Sequence, residues 1–340
     1  MRIVINTNYD SAGTRVCVDD MLPRLKTAGH EVVRNDWGNY QKYDLALFMA
    51  PDSAVDTAKK QNPRIKTGIM DPKLALSRTR AEAERSDFLL VSSIEQRDVF
   101  WHYNKNVFIF FMFPETKVQN KIHKDKGKII LGYHGNKLHL HCFVQQITPA
   151  LNELGKKYNL ELRVLYNVKK LGQWRIGLPK TIAINHIQWS EEAYYKEFAD
   201  CDIGLVNNYL PINGHLGKLA SSLFKKLNRF NPFGFNQDDY LVRYKYSTNP
   251  GRIYVFSQLG IPVVADTSPS MCQLIQDGQS GFLVNSHEGW EYALEKLIKS
   301  AALRQQMSKN LFTFIDANYS IEKNFAKFND YIINIANQIK

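Results

Sequence analysis

The sequence predicts an α/β protein made of two successive doubly wound domains, and three observations carry that expectation. Short apolar runs alternate with segments of helical periodicity. The alternation occurs twice, on either side of a polar, basic stretch at 117–128 (KVQNKIHKDKGK) that lacks apolar spacing. The 340 residues also exceed one ordinary α/β core and suffice for two of roughly 150 each.

The first half reads in order. Residues 2–6 (RIVIN) form a buried parallel strand, 8–15 (NYDSAGTR) a glycine-containing turn, and 15–28 a helix closed by Gly29. Further strands are expected at 31–34, 45–49, 64–69, 88–92 and 107–111, separated by polar or helical segments, with Phe113 and Pro114 marking the exit. The first domain is therefore drawn as 1–116 and the linker as 117–128. The second domain, 129–318, restarts with a strand at 129–133, a turn (HGNK) and a helix at 141–158. Strands at 160–166, 181–184 and 203–206 follow, with a helix at 191–200. GIPVVA at 260–265 reads as a β-branched core strand and 280–284 as the next one. Helices are expected at 288–300 and 302–316, and an amphipathic helix at 319–340 is expected to pack back on the first domain. Ligands of such sheets bind at the carboxyl ends of the strands, here expected to face a cleft between the domains.

Composition narrows the function. The chain is 44% hydrophobic and 23% charged, as globular proteins are, and no apolar run reaches the length of a membrane span. MRIVINTNYD lacks the regions of a signal peptide. Cys17, Cys142, Cys201 and Cys272 form no CxxC or zinc pattern, so they are expected to be reduced thiols of a cytoplasmic protein. The net charge of +11 suits an anionic partner (a phosphorylated small molecule, an anionic membrane surface or nucleic acid) or simply a solvated basic surface.

The most specific signal is RIYVFSQLGIPVVAD (252–266) followed by QLIQDGQSGFLVNSHEGWEYALEKLI. In order and spacing, Gly260, Pro262, Asp277, Gly278, Gly281, Leu283, Trp290, Ala293, Leu303, Arg304 and Met307 match a known pattern. The last ~90 residues thereby resemble the C-terminal domain of GT-B fold glycosyltransferases similar to glycosyltransferase family 4. That resemblance implies two Rossmann-like domains facing a cleft, a nucleotide-sugar donor as substrate, and no cofactor or bound metal. It places Arg252 where the family has a basic residue on the donor phosphates. The chemistry is sound in itself, because a guanidinium grips phosphate oxygens in pairs and a helix N-terminus favours negative charge. Lys245, Ser247 and Asn249 precede a helix expected to start near Pro250, and they join Arg252 as candidates for the diphosphate. One departure stands out. Two glutamates eight positions apart, common in retaining relatives, fall on Ser247 and Val255 here, and valine cannot accept from ribose hydroxyls.

Other candidates sit at strand exits. Gly135, Asn136 and Lys137 leave the first strand of the second domain and are candidates for the donor, with His134 as a catalytic candidate. His139 and His141 lack carboxylate or cysteine partners and make a weak metal site. Asn207 and Asn208, after DCDIGLV, are candidates for sugar hydroxyls, while Asp202 reads as structural. In the first domain Asp10 is either a general base for an acceptor or a turn-forming residue, and Gly13 borders the acceptor. Asp71 reads mainly as a helix cap. Residues 216–230 form a basic amphipathic helix, either docked on its own domain or facing anionic lipid or a phosphorylated acceptor.

The resulting expectation is transfer of a sugar from a nucleoside-diphosphate donor to a glycan or lipid-linked acceptor, in surface polysaccharide or lipopolysaccharide assembly. A DNA-modifying glycosyltransferase ranks lower, because no standard nucleic-acid module is present. A sugar-nucleotide epimerase of the same fold and a non-catalytic sugar-nucleotide-binding subunit are the rivals from other classes.

Overall fold

The structure, a computed structural model, describes residues 1–8, 12–50, 53–73, 77–211, 242–244 and 249–338. Its contacts divide the chain into two compact units. Unit 1 is Met1–Val118 with Tyr246–Gln258 and Phe312–Lys340, and unit 2 is Gln119–Lys245 with Leu259–Leu311. This division is not linear: residues 246–258 and 312–318, drawn above with the second domain, group with the first.

Unit 1 is built on β1 (Arg2–Asn6), β2 (Glu31–Arg34), β3 (Leu45–Met49), β4 (Lys66–Met70), β5 (Phe88–Val91) and β6 (Val107–Ile109). All are parallel, in the order β2-β1-β3-β4-β5-β6. Alternate side chains of a strand face opposite sides. Ile3 and Ile5 therefore join Leu45, Leu47, Phe88 and Leu90 on one face, while Val4 joins Ala46, Phe48, Ile69 and Leu89 on the other. Both faces are covered, which is why the strands read as continuous apolar runs. Phe328, Ile332 and Ile335 of the helix Ile321–Asn337 close the first face. Gly68 is required by packing, since a Cβ there would overlap the Phe88 ring and lie 3.0 Å from Leu47 Cδ2. The helix expected at 15–28 is a π-helical turn, Arg15–Asp19, followed by an α-helix over Met21–Thr27.

Unit 2 carries β7 (Ile129–His134), β8 (Leu160–Tyr166), β9 (Ala183–Gln188), β10 (Ile203–Val206), a short antiparallel pair β11 (Tyr209–Pro211) and β12 (Val242–Tyr244), then β13 (Val263–Asp266) and β14 (Phe282–Val284). Its parallel sheet has the order β14-β13-β10-β7-β8-β9. Leu131, Tyr133, Leu162 and Val164 of the central strands pack with Leu151, Trp174, Trp290 and Leu294 in one core. The strand expected from Gly260 begins only at Val263. Gly260 sits at φ +67° in the turn after the helix Gly251–Gln258, a conformation glycine adopts freely.

The stretch 117–128 has no helix or strand, yet residues 121–125 are tied down within unit 2. His123 bonds Gly260 O through Nε2 (2.9 Å) and donates its backbone N–H to Gln305 Oε1 (2.9 Å). Arg304, buried, donates to Lys124 O (2.8 Å), and Ala301 N donates to Asp125 Oδ1 (3.0 Å). A polar stretch without periodicity reads as a linker; its backbone groups here find partners and make it a strap. Residues 216–230 lie outside the described residues. Among the described residues no helix is long and apolar enough to cross a membrane.

Candidate functional site

In a parallel sheet the connections diverge at one point, and the crevice outside the carboxyl ends of the strands there receives ligands. In unit 2 the chain runs from β7 outward to β8 and β9, then returns to β10 on the other side, so β7 and β10 flank that point. Both exits are polar. β7 ends at His134, whose buried ring lies 5.8 Å from that of Phe198. Gly135 follows at φ +143°, outside the range of ordinary side chains, and its N–H bonds Leu165 O (3.1 Å). Asn136 caps the short helix Lys137–Leu140, its Oδ1 accepting from Leu138 N (3.0 Å). Lys137 turns its ammonium to Leu171 O (2.5 Å), at the exit of β8.

β10 is followed by Asn207 and Asn208, both buried. Asn207 donates from Nδ2 to His139 O (2.9 Å), lacing the β10 exit to the helix after β7. The Asn208 N–H bonds a carboxylate oxygen of Asp266, the buried last residue of β13. Two residues on, Ser268 Oγ is buried without a hydrogen-bond partner among the described residues. A buried hydroxyl in that state gains from any ligand that bonds it. Asp266 and Ser268 received no role from the sequence. The available signal was a carboxylate closing the apolar run IPVVAD. Asp202 is structural, accepting from Ile130 N (2.8 Å) and pairing with Lys126 (3.0 Å).

In unit 1 the connections diverge between β1 and β3. Here the exit groups bind one another. Asn6 Nδ2 donates to Tyr40 OH (3.0 Å), Asp36 N donates to Asn6 Oδ1 (3.0 Å), and Thr7 N donates to Asn35 Oδ1 (2.9 Å). Gly13 lies exposed in the turn Ala12–Thr14, immediately before the π-helical turn; Asp10 lies outside the described residues. Asp71, expected as a helix cap, instead sits at φ +48° and holds Lys73 (2.5 Å) and Gln96 Nε2 (3.2 Å) with its carboxylate.

The diphosphate candidates divide between the units. Asn249 and Arg252 belong to unit 1, Gly135, Asn136 and Lys137 to unit 2, and Lys245 and Ser247 lie outside the described residues. Asn249 ties the helix to its unit: Oδ1 accepts from Gly251 N (3.1 Å) and Nδ2 donates to Met112 O (2.9 Å). Arg252 is half-buried in the first turn of the helix, with Nη1 out of solvent. Tyr254 stacks on Phe113 (4.4 Å, 10°), and burial pushes its phenol pKa well up. Val255 is buried, so the position of the second family glutamate is a packed apolar contact here. Among the described residues no group of three or more His, Cys, Asp and Glu could hold a metal ion. Cys17, Cys142 and Cys201 are buried and Cys272 is exposed.

No family model matches the chain, and no curated protein matches it in sequence. Solved structures do. Sucrose-phosphate synthase from Thermosynechococcus elongatus superposes with a TM-score of 0.62 at 10% identity, covering 98% of this chain and 99% of that one. Anabaena HepE in complex with UDP gives 0.60 at 13% identity, covering 98% and 100%. The lipopolysaccharide outer core galactosyltransferase WaaB gives 0.60 at 12% identity, covering 98% and 99%. TarM gives 0.56 at 12%, and the match takes in 86% of this chain but only 55% of TarM. The two doubly wound units are therefore the GT-B fold that these glycosyltransferases share.

Proposed function

We propose that the chain is a glycosyltransferase that moves a sugar from a nucleoside-diphosphate donor, UDP-linked in the first instance, to a glycan or lipid-linked acceptor of surface polysaccharide or lipopolysaccharide assembly. The observation that carries the reading is the set of buried polar groups at one switch point of a GT-B fold. Asn207, Asn208, Asp266 and Ser268 gather at the exits of β10 and β13, beside the Gly135 loop. The bound UDP of HepE supports the choice of base.

In this reading Gly135 lets the donor approach the backbone, and Asn207, Asn208 and Ser268 bond the sugar nucleotide. The acceptor hydroxyl attacks the anomeric carbon, the bond from that carbon to the diphosphate oxygen breaks, and the hydroxyl proton passes to a base, assigned to Asp10. Arg252, carried over from the family motif with Lys245, takes up charge on the departing diphosphate without a metal ion. His134, buried at the β7 exit, orients the transferred sugar. Asn249 is spent on its helix and contributes through position.

A thermal-shift series tests this. UDP raises the melting temperature of the native chain, and Arg252→Ala loses that rise while keeping the ligand-free melting temperature, because ligand that binds only the folded state stabilises it by mass action. Absence of any response to UDP, GDP, ADP, dTDP and CMP compounds in folded protein would remove the donor site. A response to UDP without turnover of UDP-sugars, with or without acceptors, would leave a binding subunit, the outcome that Val255 keeps in play.

A further inference from the structure

Beyond the donor candidates at the β7 exit, the segments that follow β7 and β8 in unit 2 carry exposed apolar side chains that the proposed transfer leaves without a role. Leu138, Val144, Leu171 and Ile176 are exposed there, from 41% for Leu171 to 68% for Ile176. Single exposed apolar side chains are ordinary; a group of them held together is not. The two loops that bear them are joined. Lys137, next to Leu138, bonds the carbonyl of Leu171, and Thr148 Oγ1 bonds Gly177 O (2.6 Å). Gly177, beside Ile176, has no room for a Cβ because Val144 packs against it.

The loop is anchored rather than loose. Trp174 is buried in its middle, edge-on to Phe143 at 5.6 Å. Its backbone N–H bonds Tyr166 OH (2.7 Å) and its indole N–H bonds Ile176 O (2.6 Å). Leu171 and Ile176 flank this anchor in the chain and stay exposed. The same stretch of chain carries Lys169, Lys170, Arg175 and Lys180, all exposed, and none is in an ion pair among the described residues. No Asp or Glu occurs between Asp125 and Glu153, or between Glu161 and Glu191. The surface thus combines outward apolar side chains with cations and lacks compensating carboxylates in the same loops.

We infer that this face of unit 2 docks on an anionic lipid bilayer. The four cations match the headgroup charge, and Leu138, Val144, Leu171 and Ile176 enter the boundary between headgroups and acyl chains. A purely polar polyanion would satisfy the cations and leave those four side chains in water, so the apolar members decide for lipid. None of these residues belongs to 216–230, which the sequence reads as docked on its own domain or facing anionic lipid or a phosphorylated acceptor. The surface would hold the protein where a lipid-linked acceptor lies, but lipid binding itself does not depend on the donor site.

The experiment is co-sedimentation of the full chain with phosphatidylcholine vesicles, with and without phosphatidylglycerol, for the native protein, a Leu171→Ser/Ile176→Ser pair and a Lys169→Glu/Lys170→Glu/Arg175→Glu triple. The native chain is expected to partition onto the anionic vesicles and be released by salt. The charge-reversal triple should partition at least about tenfold less, and the apolar pair should also bind markedly less than the native chain. Every substituted position is exposed, so melting temperatures and the UDP response should remain native. A native chain that ignores anionic vesicles overturns the inference. So does an apolar pair that binds them like the native chain, since only charge would then be recognised, as by a soluble polyanion. Vesicle binding in a protein that fails to respond to UDP would overturn the donor assignment and leave this surface standing.

Discussion

Both units carry six parallel strands, but they are wound differently. Counting each unit's strands from its own first, the sheet of unit 2 without its β11–β12 pair reads 3-2-1-4-5-6, the order of dinucleotide-binding folds. The sheet of unit 1 reads 2-1-3-4-5-6, the flavodoxin-like order with a sixth strand. The switch point moves with the winding, and so does what stands at it. In unit 1 the exit groups Asn6, Thr7, Asn35, Asp36 and Tyr40 bond within the group. In unit 2 the exit of β13 leaves Ser268 Oγ buried and without a hydrogen-bond partner among the described residues. Among the described residues, the β1 exit of unit 1 is thus occupied by its own polar groups, whereas the β13 exit of unit 2 keeps one hydroxyl for the proposed ligand.

That contrast can be broken most readily at its two strand-end carboxylates. Asp266→Ala removes the buried acceptor of the Asn208 N–H and should cost about 2–3 kcal/mol, together with the UDP response. Asp71→Ala in unit 1 removes a partly exposed pairing with Lys73 and should cost about 1 kcal/mol or less. Thermal melts of the two variants decide it, and equal losses would erase the contrast. A smaller difference is expected between glycines with positive φ. Gly260→Ala adds a Cβ 3.0 Å from Lys121 Cβ and 3.1 Å from Gln119 O, so about 1–2 kcal/mol should be lost. Gly29→Ala, with nothing within 4 Å, should show only the backbone cost of about 1 kcal/mol.

The strap of unit 2 should also have an acid signature. Burial pushes the His123 imidazole down to about 4, with nearby Lys121 and Arg304 adding to the effect. Between pH 6.5 and 4 the unfolded chain takes up a proton that the folded chain refuses, so stability falls as the pH is lowered through that window. His123→Gln should flatten that part of the melting temperature against pH, and an unchanged profile would show that His123 titrates normally. The smallest effect is the most telling for ligand binding. Ser268→Ala should leave the ligand-free stability within about 0.5 kcal/mol of native, since no bond among the described residues is lost, and reduce only the shift produced by UDP. A large loss without ligand would mean that the hydroxyl already has a structural partner.

Much of this molecule was legible in the chain. Most strands of the two parallel sheets were expected close to where they form because strands buried on both faces are apolar along most of their length, as in IVI and LALFM, whereas the half-exposed β9 forms later than expected and the β11–β12 pair was not anticipated. The β7 and β10 exits were marked for the same reason, since polar residues directly after an apolar strand have few other places to be. Asp266 and Ser268 were passed over because their roles depend on β13 lying beside β10, a neighbour relation that no local pattern encodes. Asn249 was assigned to a phosphate because a turn and a ligand contact call for the same residue; the bonds described for it are those of a turn, to Gly251 N and Met112 O. The linker reading met the same limit. KVQNKIHKDKGK has no periodicity, and only the placement of Gln305, Arg304 and Gly260 provides its partners.

The sequence alone determined the α/β class, the two rounds of winding and the basic, acid-poor loops of unit 2, because each is a matter of local apolar period and composition. The tertiary structure alone decided the strand orders 2-1-3 and 3-2-1, and with them the position of each switch point. It also decided which polar side chains are spent on one another and grouped Tyr246–Gln258 and Phe312–Lys340 with unit 1. The reason is the same throughout: a strand's period shows that it is buried, while its neighbour in the sheet is chosen by contacts between residues far apart in the chain.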